Sequence, residues 1–123
     1  MNECIFCKII NNEIPSKTVF EDEIVKVFMD VNPDDNGHML IVPKKHITDF
    51  TELDDETAKH INNVIKNLKI LVEEKLNPDG IRFVNNYGCY QLVKHYHLHL
   101  IPCYEPKQPI IDVETTYNKI MNK

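Results

Sequence analysis

Ala58, Ile61, Ile65, Leu68 and Val72 recur every three or four positions, and Val64, Leu71 and Leu76 widen the same stripe. This is the period of an amphipathic helix, predicted over residues 55–76. Asp54 or Asp55 can cap its start, and Asp55 and Glu56 suit the positive end of its dipole. Asn77-Pro78-Asp79-Gly80 ends it. Elsewhere the pattern shortens to that of strands. Thr18 to Glu21 reads as one, with Asp22-Glu23 as the turn into a second from about 24 to 30, rich in β-branched and aromatic residues. Asn32 to Gly37 is a strong turn signal, and His38 to Val42 is a third strand closed by Pro43. Residues 81–86 and 94–102 are the last two strands. A short helix over 4–11, with Ile5, Ile9 and Phe6 inward, precedes Pro15. Short turns between neighbouring strands favour antiparallel pairing, so the chain reads as one α+β domain over residues 1–104. Residues 105–123 read as a C-terminal tail, in which Val113 to Met121 form a short helix.

Composition narrows the chemistry. At 123 residues, with 42% hydrophobic and 27% charged positions, the chain is one domain of ordinary globular usage. Gly37, Gly80 and Gly88 are the only glycines, and their spacing excludes the dinucleotide fingerprint and the P-loop. Ser16 is the sole serine, which argues against a Ser-His-Asp hydrolase. A formal net charge of −5 without a basic run argues against a nucleic-acid polymer as partner. The N-terminus lacks the marks of a secretory signal, and no apolar run is long enough for a membrane span. The expectation is a cytoplasmic protein whose four cysteines stay thiols or bind metal.

Histidine and cysteine are then the unusual assets. His95-Tyr96-His97-Leu98-His99-Leu100-Ile101 alternates imidazole with apolar side chains. On a strand, alternate residues share a face about 6.5–7 Å apart, so the three imidazoles line one face and Leu98 and Leu100 the other. A row of imidazoles is a poor core face, because each carries polar nitrogens that need partners. Two uses fit: a catalytic zinc held by all three, or a division of labour among ligand, nucleophile and anion binder. Cys4-Ile5-Phe6-Cys7 supplies two thiols at metal-ligand spacing, and His46 with one end of the histidine row would complete a closed four-ligand site.

Taken together, these segments resemble the histidine triad (HIT) family. The row matches its His-φ-His-φ-His-φ-φ motif. Cys4 to Ile10, Glu13-Ile14-Pro15, Asp30 to Pro33 and His38 to His46 are similar to its zinc-containing, Hint-like branch. The resemblance spans about residues 4 to 104. It implies a five-stranded antiparallel sheet with one long helix and one short N-terminal helix, usually in a homodimer. It also implies hydrolysis or transfer at the α-phosphate of a nucleotide, most readily a purine nucleoside phosphoramidate. By motif position, His97 resembles the nucleophile that takes the nucleotidyl group, while His99 and His38 resemble its phosphate-contacting and orienting partners. Phe6, Ile9, Phe28, Asp30, Val31, Asn85 and Gln91 match nucleotide-binding positions. Cys4, Cys7, His46 and His95 match the ligands of a structural zinc.

The segment before the triad departs from the family pattern. Tyr90 stands where a glycine is usual, and Leu92 where a hydroxyl residue assists the phosphate or leaving group; leucine has no proton to donate. Cys103 occupies a position where arginine is common. A nucleotide-binding protein that has lost most catalysis, a dinucleoside polyphosphate hydrolase and a metal-hydroxide hydrolase are therefore the competing readings.

Overall fold

The computed structural model describes residues 3–122. A short helix α1 (Ile5–Ile10) leads into β1 (Thr18–Glu21), β2 (Val25–Met29) and β3 (Met39–Pro43). The long helix α2 (Asp55–Leu76), β4 (Gly80–Val84), β5 (Leu98–Cys103) and α3 (Val113–Met121) follow. The five strands form one antiparallel sheet in the order β1-β2-β3-β5-β4, the architecture the sequence implied. No helix of the described residues is long and apolar enough to cross a membrane.

Both faces of the sheet are covered. Val25, Val27, Met29, Met39, Ile41 and Leu100 pack with Ile61, Val64, Leu68 and Val72 of α2. On the other face Phe28, Leu40 and Val42 pack with Phe6 and Ile9 of α1. This two-sided cover is why β2 and β3 are buried at every residue and read as continuous apolar runs. Lys26 is the exception within them. Fully buried, it donates from Nζ to the Ile9 carbonyl at 2.9 Å and to Asn12 Oδ1 at 3.1 Å, tying the end of α1 to the sheet. Cationic donors are favourable at a helix C-terminus, where carbonyls are left unpaired.

α2 begins and ends where its sequence signals lie. Asp54 accepts from the Thr57 amide at 2.7 Å, and Asn77 takes the left-handed conformation (φ 50°) that closes the helix. Three expectations are corrected. Ile5 faces solvent, since in so short a helix the sheet-facing arc is filled by Phe6, Cys7 and Ile9. β5 starts at Leu98, not at 94, because the chain on either side of His95 bonds outside the ladder: Tyr96 N–H donates to the Ile47 carbonyl at 2.8 Å and the His95 ring reaches the Pro43 carbonyl at 2.8 Å. The compact body also continues past residue 104. Val113, Tyr117, Ile120 and Met121 make the inward stripe of α3, and Ile120, 1% exposed, belongs to the α2-side core.

Gly37 shapes the approach to β3. Its φ is +97°, and a Cβ there would fall 2.6 Å from Leu76 Cδ1 and 2.9 Å from Pro102 Cγ. Only glycine takes that turn without strain, and the turn delivers His38 to the sheet. If α3 is structural, Ile120→Ala should destabilise the protein by about 2–4 kcal/mol, as expected for a truncated core side chain. Urea unfolding would check this; a loss under ~0.5 kcal/mol would show that α3 is dispensable.

Candidate active site and metal centre

Register builds the site on the α1 face of the sheet. Pairing of Met29 with Met39 brings Asp30, just past β2, beside His38, just before β3; the Asp30 amide donates to the His38 carbonyl at 3.0 Å. Pairing of Leu40 with His99 then sets His38 against β5. His38 Nε2 lies 2.9 Å from His99 Nδ1 and 3.5 Å from Asp30 Oδ2. The His97 ring packs edge-on against His99 at 4.9 Å between centroids and against Phe6 at 4.9 Å. Leu98 and Leu100 point into the opposite core. Alternation therefore persists through His97 and His99 although the ladder begins only at Leu98.

The hydrogen bonds decide where protons sit. His97 Nδ1 is 2.7 Å from the His95 carbonyl, which can only accept. His97 Nδ1 is thus the protonated nitrogen, and its Nε2 carries the lone pair. The Asp34 amide donates to His38 Nδ1 at 3.0 Å. His38 must then be protonated at Nε2 and donate to His99 Nδ1, which leaves the proton of His99 on Nε2. Among the described residues, that His99 nitrogen is buried without a hydrogen-bond partner. The relay ends in a donor that needs an acceptor.

These imidazoles are held neutral. Burial lowers the pKa of His97, only partly offset by its hydrogen bond to the His95 carbonyl and by Asp30. Burial is also the main cause at His38, opposed chiefly by Asp30 and Asp34. At His99, burial followed by His97 and His38 drives the value down to about 4. A neutral, correctly tautomerised imidazole is a nucleophile; its protonated form is not.

A second cluster lies along the same face. Cys4 Sγ is 3.4 Å and Cys7 Sγ 3.5 Å from His95 Nδ1, and Cys7 Sγ is 3.2 Å from His46 Nδ1. All four donor atoms lie within 4.8 Å of one another. A tetrahedral zinc with ordinary bond lengths would hold sulfur and nitrogen about 3.6 Å apart, so the set has the size of such a site. His95 Nε2–H donates to the Pro43 carbonyl at 2.8 Å, which leaves Nδ1 unprotonated toward the thiols. An outer hydrogen bond of this kind fixes the tautomer of a ligating histidine. Phe6 stands beside both groups, its ring 6.0 Å from that of His95.

Among the other expected positions, Phe6, Ile9 and Phe28 are buried together on the triad face of the sheet, whereas Val31 is exposed. Asn85 donates from Nδ2 to the His97 carbonyl at 3.2 Å, and Gln91 donates from Nε2 to the Thr48 carbonyl at 2.6 Å. Tyr90 and Leu92 are 76% and 90% exposed, so neither side chain is packed into the triad. Lys94 clips its own loop, donating to the carbonyls of Gly88 at 2.9 Å and Gln91 at 2.8 Å. Sequence reasoning missed Asp34 and Lys26. The second left a signal, a lone cation inside an apolar strand; the first acts through its backbone and left none.

Comparison with known proteins agrees with this arrangement. The HIT domain family matches residues 11–106. A HIT-like protein of Methanocaldococcus jannaschii is 52% identical over 105 residues, covering 83% of this chain and 80% of the relative. The adenosine 5'-monophosphoramidase of Schizosaccharomyces pombe is 35% identical over 101 residues, covering 80% and 73%. A zinc-bound histidine triad family protein from Mycobacterium smegmatis superposes with a TM-score of 0.86 at 29% identity, covering 96% of this chain and 90% of that one. The chain belongs to the HIT family.

The proton assignments are directly measurable. Long-range ¹H–¹⁵N correlation spectra at pH 7 should show His97 as the Nδ1–H tautomer and His38 and His99 as Nε2–H tautomers. On acidification, all three should titrate below the ordinary imidazole value of about 6.5, with His99 near 4. Each imidazole is then neutral at pH 7 and gains its proton only as pH falls through its lowered pKa. An Nε2–H tautomer at His97 would overturn the assignment.

Proposed function

We propose that the protein is a nucleotidyl hydrolase or transferase that acts at the α-phosphate of purine nucleoside phosphoramidates or related conjugates. The observation that carries this reading is the His97 ring, buried, neutral and protonated on Nδ1 by its bond to the His95 carbonyl. His97 Nε2 attacks the α-phosphorus and the bond from phosphorus to the leaving amine breaks. The amine takes a proton from water, since Leu92 has none to give. Water then attacks the nucleotidyl-histidine and loses its proton to solvent. The P–N bond to His97 breaks with its electron pair returning to Nε2, and a nucleoside monophosphate leaves. Two displacements through a covalent intermediate replace one harder step.

In this scheme the orphaned His99 Nε2–H donates to a non-bridging phosphate oxygen, where a preplaced donor stabilises charge as it develops. His38 fixes the His99 tautomer. Asp30 accepts from ribose hydroxyls. Phe6, Ile9, Phe28 and Val31 flank the base and ribose. Asn85 holds the His97 carbonyl, and Gln91 ties its own loop to the Thr48 carbonyl.

Cys4, Cys7, His46 and His95 would hold zinc. When bound, the metal cross-links α1 to the loops carrying His46 and His95. Four protein ligands fill a tetrahedral site, which suits a structural ion rather than one that activates water. Homodimerisation belongs to the same reading: β4 is an open edge strand with Phe83 exposed, and Ile70 is exposed on α2. A nucleotide-binding protein with weak catalysis is the second reading, favoured by Leu92.

With an adenosine phosphoramidate as substrate, His97→Ala should lower kcat roughly 10⁴-fold or more while nucleotide binding survives. Unchanged turnover would remove His97 from the chemistry. Micromolar binding with no turnover by the unaltered protein would favour the second reading. Chelation should lower Tm before it lowers turnover, because metal binding contributes folding free energy. Immediate loss of activity at constant Tm would instead indicate a catalytic metal.

A further inference from the structure

The imidazole relay on the triad face can run in two directions. In one, His38 donates from Nε2 to His99 Nδ1, and His99 ends in an Nε2–H. In the other, His99 donates from Nδ1 to His38 Nε2, His38 carries its proton on Nδ1, and His99 Nε2 ends as a lone pair. Both contain the same 2.9 Å bond between the rings. They differ at the far end, where the Asp34 amide lies 3.0 Å from His38 Nδ1. Reversal would set that N–H against a second N–H. Asp30 Oδ2, 3.5 Å from His38 Nε2, pulls toward the first direction at longer range.

The turn that carries the Asp34 amide joins β2 to β3, and it is fastened to the C-terminal segment. Asn36 is 7% exposed. It donates from Nδ2 to the Pro109 carbonyl at 3.0 Å, with Gln108 Oε1 at 3.4 Å, and accepts the Ile111 amide on Oδ1 at 3.0 Å. Its carbonyl accepts the Tyr104 hydroxyl at 2.8 Å. Lys107 Nζ donates to the Asp34 carbonyl and to the Asp35 carboxylate, both at 2.8 Å. We propose that Asn36 and Lys107 are positioning residues: by fastening the 34–37 turn to residues 104–111 they hold the Asp34 amide on His38 Nδ1 and so fix the direction of the relay. Asn36 supplies the stronger tie, because a buried amide that loses its partners is costly, whereas Lys107 is 62% exposed and its ion pair adds little alone. The role rests on the reading above in one respect, that His99 Nε2 meets a phosphate oxygen. Only the first direction presents a donor there; the reverse would set a lone pair against the oxygen.

The test reads the His38 and His99 tautomers by long-range ¹H–¹⁵N correlation in the full chain at pH 7, alongside turnover of an adenosine phosphoramidate. Asn36→Ala removes the buried tie. Lys107→Met removes the exposed one, and Lys107→Arg keeps a cation that can reach both acceptors. In Asn36→Ala the two directions should approach equal populations, so the ¹⁵N shifts of the two nitrogens within each ring converge. With half the molecules in the competent direction, kcat/KM should fall about twofold. Lys107→Met should move the same shifts the same way by a smaller amount, and Lys107→Arg should restore them. A merely structural role would lower Tm and leave both tautomers as in the unaltered protein. That result in Asn36→Ala, or in Lys107→Met should Asn36→Ala not fold, would overturn the proposal. The shifts are read without substrate, so an unaltered protein with no turnover would count against the hydrolase reading alone.

Discussion

One residue, His95, joins the two halves of the site. Its ring faces the thiols of Cys4 and Cys7 and is locked by Nε2–H donation to the Pro43 carbonyl. Its own carbonyl accepts the Nδ1–H of His97 at 2.7 Å. Anything that holds the ring in place therefore also holds the acceptor that sets the His97 tautomer. The same positions that interrupt the β5 ladder make this possible, because residues committed to strand pairing could not supply these contacts. A metal in the cysteine–histidine cluster would act on His97 through this backbone link.

The triad face is built by neutral groups in an acidic protein. With a net charge of −5, the chain has no basic field to gather phosphate. Its donors are local and aligned: the Asp34 amide feeds His38, His38 feeds His99, and His99 ends in an unpaired N–H. Keeping the imidazoles neutral avoids the desolvation cost of buried cations, and it keeps the His97 lone pair available near pH 7. Asp30, 3.5 Å from His38, leaves the cluster with an acid at its rim but none inserted into the relay.

Much of this was legible in the sequence because it follows from period. The 3.6-residue stripe places α2 over about residues 55–76, and alternation puts His97 and His99 on one face with Leu98 and Leu100 on the other. The four-ligand set followed from the resemblance and proved to be gathered in space. What the sequence could not show depends on backbone atoms or on unpredictable packing. The carbonyl of His95 and the amide of Asp34 decide tautomers, yet neither has a side-chain signature. Ile5 turns outward because a six-residue helix is too short for its period to fix a face. The C-terminal segment was set apart on its proline-rich junction, which hid the stripe that seats Ile120 in the core. The loop carrying Tyr90 and Leu92 projects outward, so its departure from the family pattern removes a donor without blocking His97.

The central claim is that phosphorus is transferred twice, first to His97 and then to water. The stereochemical course at phosphorus tests it most directly, with a P-chiral adenosine phosphorothioamidate as substrate and isotopically labelled water as acceptor. Two in-line displacements give overall retention of configuration, which is the predicted result; overall inversion would mean that water attacks the substrate directly and would contradict the account.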